Sequence, residues 1–284
     1  MEPERITRRK FMLKGMGFFA ALAAFTGGYA FFGERYWIQT KQVSLSFPKL
    51  PKTFSGMRMV QFSDVHLGKH YSNHRLEKLV AEIMELKPDL ICFTGDLFDT
   101  HDGDPNDSII PLLAKLNAPL GKFAALGNHD HAKGKSRIVD ILTRSGLRVL
   151  DNEQSILEKQ GERIRIVGVD DMFMGKPNLN KALQEEFAPS FTLLLSHAPD
   201  YADQASHFPI DLQISGHSHG GQVRLPFIGA ITTPKFGRKY IQGLHKVKDS
   251  QLLVYTNRGI GTTNLPVRLF CRPEITVFTL LREV

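Results

Sequence analysis

The chain has 284 residues, of which 42% are hydrophobic and 23% charged, so collagen-like, low-complexity and wholly disordered proteins are excluded. Its 36 basic side chains outnumber its 29 acidic ones, for a formal net charge of +7. Residues 1–14 account for +3 of this net charge, so the remaining residues are too weakly basic for nucleic acid to be an expected partner. Two cysteines, Cys92 and Cys271, are too few for a disulfide scaffold, and we expect both to fill the core.

The first 33 residues combine basic side chains with an apolar stretch. No charged residue occurs over residues 15–33, a length between that of a signal-peptide core and that of a membrane-spanning helix. In front of it, residues 7–14 (TRRKFMLK) resemble the twin-arginine export signal, and an ordinary membrane anchor with basic flanks is the alternative. We therefore expect residues 1–33 to meet the membrane and to engage the twin-arginine translocation machinery.

The boundaries of the folded part follow from the pattern behind this segment. Gly28-Tyr29-Ala30 is a weak cleavage site, so removal of the segment stays open. Residues 34–56 are interpreted as a connector with one edge strand over 43–47. Residues 57–284 are expected to form one folded domain.

Short apolar runs of strand length recur after residue 56, and five of them end in Asp, His, Asn or Gly. Apolar residues at intervals of three and four predict helices between the first three runs. This alternation is typical of open α/β sheets, which place their sites at the carboxyl ends of the strands. The five runs are 57–62, 90–94, 123–126, 191–195 and 212–215.

From residue 148 onward the pattern changes to alternating segments, which we interpret as strands of a second, mixed or antiparallel sheet. The expected fold is therefore α/β, with two sheets packed face to face and helices outside. The expected strands of the second sheet are 163–169, 222–225, 252–256 and 274–280.

Five polar clusters stand at the ends of the five apolar runs. Turns require Gly, Asn and Asp, but they do not require five histidines placed directly after hydrophobic strands. Imidazole and carboxylate ligands without thiolate suit a divalent ion such as Mn²⁺, Fe²⁺, Zn²⁺ or Ni²⁺, and the clusters hold enough ligands for two ions. The clusters are Asp64-Val65-His66, Gly95-Asp96-Leu97-Phe98-Asp99, Gly127-Asn128-His129-Asp130, Ser196-His197 and Gly216-His217-Ser218-His219.

These clusters resemble the signature of the calcineurin-like metallophosphoesterase family, with D-x-H, G-D-x-x-D, G-N-H-D, a later His and G-H-x-H in order across residues 64–219. The resemblance implies a four-layer α/β/β/α sandwich that holds two divalent metal ions, such as Mn²⁺, Zn²⁺ or Fe²⁺. It also implies the metal ligands: Asp64, His66, Asp96 and His219 for the first ion, and Asp96, Asn128, His197 and His217 for the second.

The implied chemistry is phosphoester hydrolysis. Two cations about 3.5–4 Å apart clamp the phosphoryl oxygens and lower the pKa of a bridging water towards 7, so that hydroxide attacks in line. The resemblance gives His129 the role of stabilising or protonating the leaving oxygen, with Asp130 orienting its ring.

Four further residues have two interpretations each. Asp99 either supports a ligating histidine or caps a helix start, and His131 either lies on the surface or lines the cleft. Arg258 and Arg268 either bind a substrate phosphate or form structural ion pairs.

The expected function is dinuclear metal-dependent hydrolysis of a phosphodiester, with a phosphomonoester also possible as substrate, on material of the cell envelope. The longer form of the last cluster, G-H-S-H-G-G-Q, resembles a bacterial branch of membrane-directed, often twin-arginine-exported members. We therefore expect an extracytoplasmic protein, tethered to the membrane or held in the cell wall or periplasm.

Two alternatives remain. One is a pyrophosphatase of the lipid A precursor type, acting on a lipid-linked diacylglucosamine nucleotide from a cytoplasmic catalytic domain at the inner membrane. The other, of a different class, is a non-catalytic protein that binds an envelope polymer.

Overall fold

The central strands bury side chains on both faces, which explains why their sequences are apolar runs rather than alternating ones. The computed structural model describes residues 7–101, 103–183 and 191–283. The strands are β1 Gln39–Phe47, β2 Met57–Phe62, β3 Leu90–Phe93, β4 Lys122–Ala124, β5 Arg148–Val149, β6 Glu153–Lys159, β7 Glu162–Gly168, β8 Thr192–Leu195, β9 Leu212–Ser215, β10 Arg224–Leu225, β11 Gly229–Ala230, β12 Gly243–Lys246, β13 Leu253–Thr256 and β14 Glu274–Arg282. The α-helices are α1 Arg8–Gly28, α2 Asn73–Glu85, α3 Ile110–Leu113, α4 Asn128–Ala132, α5 Lys135–Arg144, α6 Leu179–Ala182 and α7 Ala202–Ala205.

Twelve of these strands form two six-stranded sheets. The first sheet has the order β1-β14-β2-β3-β4-β5, in which β2 to β5 are parallel and β14 is antiparallel to β2. The second has the order β12-β13-β9-β8-β7-β6, with four parallel central strands and an antiparallel strand at each edge. Both sheets are therefore mixed, and their parallel strands end where α/β folds build sites.

Side-chain burial divides the molecule into four layers. Between the sheets, Met59 and Cys92 of the first pack in one core with Leu193 and Ile214 of the second. On the outer face of the first sheet a second core includes α2, α3 and α5, and on the outer face of the second sheet a third includes α6 and α7. The expected four-layer α/β/β/α sandwich is confirmed.

Two expected second-sheet strands lie elsewhere. The segment 274–280 belongs to β14, which is inserted in the first sheet, where it pairs with both β1 and β2. The segment 222–225 contributes only Arg224–Leu225, which pairs with β11 in a separate two-stranded unit. Alternation of side chains indicates a strand, but the partner is chosen by packing between distant parts of the chain, so the assignment of these two segments to the second sheet was wrong.

The segment 34–56 supplies the edge of the first sheet. Its strand β1 begins at Gln39, earlier than the expected 43–47, and pairs in parallel with β14 over nine residues. Residues 34–56 therefore pack against the sandwich through a full strand.

Helix α1 lies outside all three cores. Its large apolar side chains, including Phe18 and Phe25, are exposed. Within the described part of the chain, the helical stretch Arg8–Tyr36 is the one stretch long and apolar enough to cross a membrane. Such a helix near the amino terminus fits a signal sequence or a membrane anchor. Residues 1–6 of the expected export segment lie outside the described residues.

Candidate metal centre

Loops after five parallel strands bring the predicted ligands to one end of the sandwich. The loops after β2, β3 and β4 come from the first sheet, and those after β8 and β9 come from the second. Polar atoms of the two sheets meet within hydrogen-bonding distance, as where the amide of His217 donates to the carboxylate of Asp64. The site is therefore built across the two sheets.

The backbone at this site is strained. Five predicted ligand residues have φ between 49° and 67°, in the left-handed region. That conformation costs a residue with a side chain on the order of 1–3 kcal/mol, and Asp and His tolerate it better than most. The five are Asp64, His66, Asp96, His217 and His219. The fold therefore gives up stability to aim these side chains.

Glycines in two of the clusters allow the close approach of the loops. A Cβ atom added to Gly127 would overlap the carboxylate of Asp96. One added to Gly216 would overlap Asp64 and the hydroxyl of Ser63. At these positions glycine is needed because its lack of a side chain leaves room for the metal ligands.

Three acceptor atoms face one another in the second predicted ion site. The Nδ1 of His197 lies 2.6 Å from the carbonyl of Thr94, and the Nε2 of His217 lies 2.7 Å from the carbonyl of Lys235. A carbonyl only accepts hydrogen bonds, so these ring nitrogens carry the protons. The opposite nitrogens, His197 Nε2 and His217 Nδ1, then present lone pairs 3.2 Å apart, and Asp96 Oδ2 lies 3.1 Å from the former.

A cation is needed to hold that arrangement. Two lone pairs and a carboxylate oxygen repel one another in a buried, low-dielectric site. Either a proton or a metal ion offsets the repulsion, and the carbonyls of Thr94 and Lys235 fix the rings in the orientation that a metal ligand requires.

The first predicted ion site has the same character. The Nε2 atoms of His66 and His219 lie 3.1 Å apart. Asp64 Oδ1 lies 3.4 Å from the latter, and Asp96 Oδ2 lies 3.7 Å from the former. Within the described residues, the Nδ1 atoms of both rings are buried without a hydrogen-bond partner. Asp96 thus reaches both ion sites, as expected of a bridging ligand.

Asn128 adds an orphaned acceptor. Its side-chain oxygen Oδ1 is buried and has no hydrogen-bond partner among the described residues. An unpaired buried carbonyl oxygen costs about 1–3 kcal/mol unless a ligand satisfies it. Asn128 lines the same pocket as Asp96 and His217, so the residues present fit a pair of divalent ions.

The ionisation of these groups reflects burial and mutual charge. Burial raises the pKa of Asp64 to about 7, and burial lowers the pKa of His66 to about 3 and of His217 to about 4. Burial alone would lower the pKa of His197, but the Asp96 carboxylate raises it well above its usual value. A metal ion must therefore displace a proton from the His197–Asp96 pair, so metal affinity depends on pH.

His129 stands at the mouth of the site with a defined tautomer. The amide of Thr100 donates to its Nδ1 over 3.2 Å, so the neutral ring carries its proton on Nε2. The ring lies edge-on to His66, with centroids 4.5 Å apart, and the backbone amide of His129 donates to Asp96. His129 is half-buried and lines the pocket.

Asp130 does not orient the ring of His129. Its buried carboxylate accepts hydrogen bonds from the amides of Asp96, Leu97 and Gly127, at 2.8–2.9 Å. The start of α4 turns this side chain towards the loop after β3, where two of the three amides lie. Asp130 therefore fixes the backbone of Asp96, and the Thr100 amide contacts His129 instead.

Two other residues have defined contacts. Asp99 accepts from the amide of His101 within a loop, so it caps a turn and not a helix start. His131 Nε2 lies 2.7 Å from Asp170 Oδ1, and hydrogen bonding to that carboxylate raises the pKa of His131.

Both candidate arginines have structural roles. Arg258 pairs with the buried Glu274 at 2.5 Å. Arg268 is fully buried and donates to the carbonyls of Gly261 and Cys271, among others. A phosphate-binding role would require these contacts to break.

The pocket above the metal ligands has a volume of about 220 Å³. Beyond the ligand clusters its wall consists of Thr232, Thr233, Pro234, Thr263 and Asn264. The sequence pattern did not single out these residues, because they lie in loops of ordinary composition. In the sequence, the only indication of where these residues lie was the extension of the last cluster through Gly220-Gly221-Gln222, which leads into the first of these loops.

Comparison with known proteins agrees with this geometry. The family model of the calcineurin-like phosphoesterases matches residues 57–221. An uncharacterized metallophosphoesterase of Bacillus subtilis, YkuE, is 41% identical over 284 residues, which cover 98% of each chain. Phosphodiesterase YaeI of Escherichia coli is 29% identical, with 97% of this chain and 100% of the relative covered.

A further relative is the UDP-2,3-diacylglucosamine pyrophosphatase LpxG of Chlamydia muridarum, 29% identical over 83% of this chain and 88% of its own. The family match covers more than half of the chain, and four of the seven ligands expected from it line one pocket. The chain belongs to the calcineurin-like phosphoesterase family and is a metal-dependent phosphoric ester hydrolase.

Proposed function

We propose that the protein is a phosphodiesterase with two divalent ions in its pocket. The observation that carries this proposal is the set of buried acceptors at 3.1–3.2 Å formed by His197, His217 and Asp96. A second set beside it, which shares Asp96, supports a second ion. The proposed ligands are Asp64, His66, Asp96, Asn128, His197, His217 and His219.

When bound, such ions neutralise phosphate charge and lower the pKa of water so that it serves as the nucleophile. The chain's own residues position them. The Thr94 and Lys235 carbonyls lock two imidazole rings, and three backbone amides hold Asp130 against the loop that carries Asp96. This rigidity keeps the separation of the ligands fixed during a reaction.

His129 is proposed to stabilise the leaving oxygen of the substrate. Its Nδ1 accepts from Thr100, so the neutral ring offers its Nε2–H to that oxygen as a hydrogen-bond donor. The wall residues Thr232, Thr233 and Thr263 are neutral and offer hydroxyl groups to the rest of the substrate. No carboxylate other than Asp96 lines this pocket among the described residues, which favours an anionic ligand.

The proposed substrate is a phosphodiester of the cell envelope, reached after twin-arginine export of the chain. The apolar helix α1, which begins with two adjacent arginines, supports the route, and the phosphodiesterase activity of the relative YaeI supports the bond type. The pyrophosphatase activity of the relative LpxG supports a second candidate, hydrolysis of a lipid-linked nucleotide pyrophosphate by a domain on the cytoplasmic side.

Replacing Asp96 by Asn tests the bridging ligand. The amide keeps the shape of the carboxylate but removes its charge, so we expect loss of about one ion per chain and a fall of roughly 100-fold or more in kcat/KM. Metal content by mass spectrometry and hydrolysis of bis(p-nitrophenyl) phosphate with Mn²⁺ measure the two effects.

The matched control is Asp249→Asn, the same change at an exposed position, which should leave both values unchanged. Two ions retained in Asp96→Asn would rule out bridging. A wild-type protein that binds metal but turns over no diester with Mn²⁺, Zn²⁺ or Fe²⁺ would instead support the binding-protein alternative.

Replacing His129 by Ala tests hydrogen bonding to the leaving oxygen. We expect metal content to stay the same while kcat falls by about 10²–10³-fold on a diester with a poor leaving group. The loss should be smaller on a nitrophenyl ester, because the negative charge on that leaving oxygen is delocalised into the ring and needs less stabilisation.

The control for this change is His207→Ala, at an exposed histidine. Equal losses on both classes of ester would contradict a role of His129 at the leaving oxygen.

A β-lactamase fused after residue 284 tests the location. We expect resistance to a β-lactam, which requires the enzyme outside the cytoplasm, and its loss in Arg8→Lys/Arg9→Lys, which keeps the charge but removes the arginine pair. Resistance unaffected by that change would rule out the twin-arginine route. A fusion protein found intact and active only in cell lysates would favour the cytoplasmic pyrophosphatase.

A further inference from the structure

Five large apolar side chains near the metal pocket face solvent. Together we call them the apolar rim, and their relative exposures run from 54% to 109%. A group of large, exposed apolar side chains in neighbouring loops of a soluble surface marks a contact with another protein or a membrane. The rim consists of Phe227, Ile228, Ile231, Leu265 and Phe270.

Backbone strain accompanies the rim. Phe227 has φ 67° and Phe270 has φ 52°, both in the left-handed region. A bulky residue seldom adopts this conformation, and here the strain holds an aromatic ring away from the core. This strain adds no stability to the folded protein unless the rings become buried against another molecule.

Hydrogen bonds join the rim to the base of α1. The turn between β10 and β11 carries Phe227, and the amide of Arg224 in β10 donates to the carbonyl of Leu269 over 2.9 Å. In the same loop, the amide of Arg268 donates to the carbonyl of Ala30 over 3.1 Å. The rim therefore lies beside the end of the helix that is apolar and long enough to cross a membrane.

A second set of contacts strengthens this junction. The guanidinium of Arg35 donates to the carbonyl of Pro266 over 3.0 Å, and the amide of Cys271 donates to the buried carboxylate of Glu34. The helix end and the rim loop are thus held together as one unit.

The same segments form the wall of the metal pocket. Thr232 and Thr233 follow β11, and Thr263 and Asn264 precede Leu265 of the rim. The mouth of the pocket is therefore only a few residues from side chains that face solvent as an apolar surface.

The charge of these segments is one-sided. Residues 222–238 and 258–272 contain six basic residues and no Asp or Glu. Arg258 and Arg268 are engaged in the fold, but Lys235 and Arg238 are exposed. Apolar side chains flanked by lysine and arginine are typical of proteins that dip into the interface of anionic lipid.

We propose that the apolar rim inserts into a lipid bilayer beside α1, so that the metal pocket opens at the level of the headgroups. Its substrate then carries its phosphate on a lipid, within reach of the bilayer surface. The substrate class rests on the proposed phosphodiesterase function, whereas the membrane contact of the rim stands independently of it.

The test compares two positions in the full chain, reconstituted in vesicles of phosphatidylglycerol and phosphatidylcholine. A nitrobenzoxadiazole label is placed at Phe227→Cys and, as control, at Lys159→Cys. Lys159 is exposed at the turn before β7, which is the amino end of that parallel strand and opposite the metal site. Native Cys92 and Cys271 are buried, so the label reports the new cysteine. Ile228→Cys serves as a second rim position should the first variant fold poorly.

We expect a blue-shifted emission at the rim that falls at least about twofold when the lipids carry a spin label on the acyl chain, and neither change at the control. Emission at the rim equal to that at the control would overturn the proposal. A blue shift without quenching would indicate a second protein copy or another protein on the rim, and would overturn it as well.

Turnover of bis(p-nitrophenyl) phosphate by the unmodified chain in the same vesicles separates the two proposals. Insertion without turnover would contradict the phosphodiesterase and leave the membrane contact standing. Turnover without insertion would support the phosphodiesterase and contradict the membrane contact.

Discussion

The structure depends on one electrostatic constraint: buried acceptor atoms from both sheets face each other and need positive charge between them. His197 Nε2, His217 Nδ1 and Asp96 Oδ2 lie at 3.1–3.2 Å, and carbonyls behind the two rings stop them from turning away. The left-handed backbone of the five predicted ligands and the glycines near them allow these acceptor atoms to come close together. The free energy lost to this strain and repulsion is offset by burial of an extensive core between and outside the sheets.

The sandwich explains why the site takes this form. Parallel strands of both sheets end on one side, so the short loops after them converge without long excursions. Burial makes the pocket sensitive to charge, as the pKa of about 7 for Asp64 shows. A metal ion therefore competes with protons for its ligands, and metal binding and local ionisation are one equilibrium.

Much of this organisation was predictable, because strand-end polar clusters and their order are local features. β2 and β9 begin and end where the apolar runs do, and Asp and His side chains of the predicted clusters lie close together. What failed depended on distant parts of the chain. The partner of β14 is set by packing with β1 and β2, and Asp130 turns towards three amides that only the folded loops bring near it. The pocket wall was missed because Thr232 and Asn264 belong to no pattern.

The proposed membrane contact involves the same loops as the site. The loops that complete the pocket also form hydrogen bonds to the end of the apolar helix. The proposed pair of ions is the feature on which the proposed chemistry rests. The most direct measurement is a crystal structure of the manganese-loaded protein with anomalous scattering recorded at the manganese edge. Two peaks about 3.5–4 Å apart, one on each side of Asp96, are expected. A single peak, or two peaks of which only one contacts Asp96, would contradict a dinuclear centre bridged by that residue.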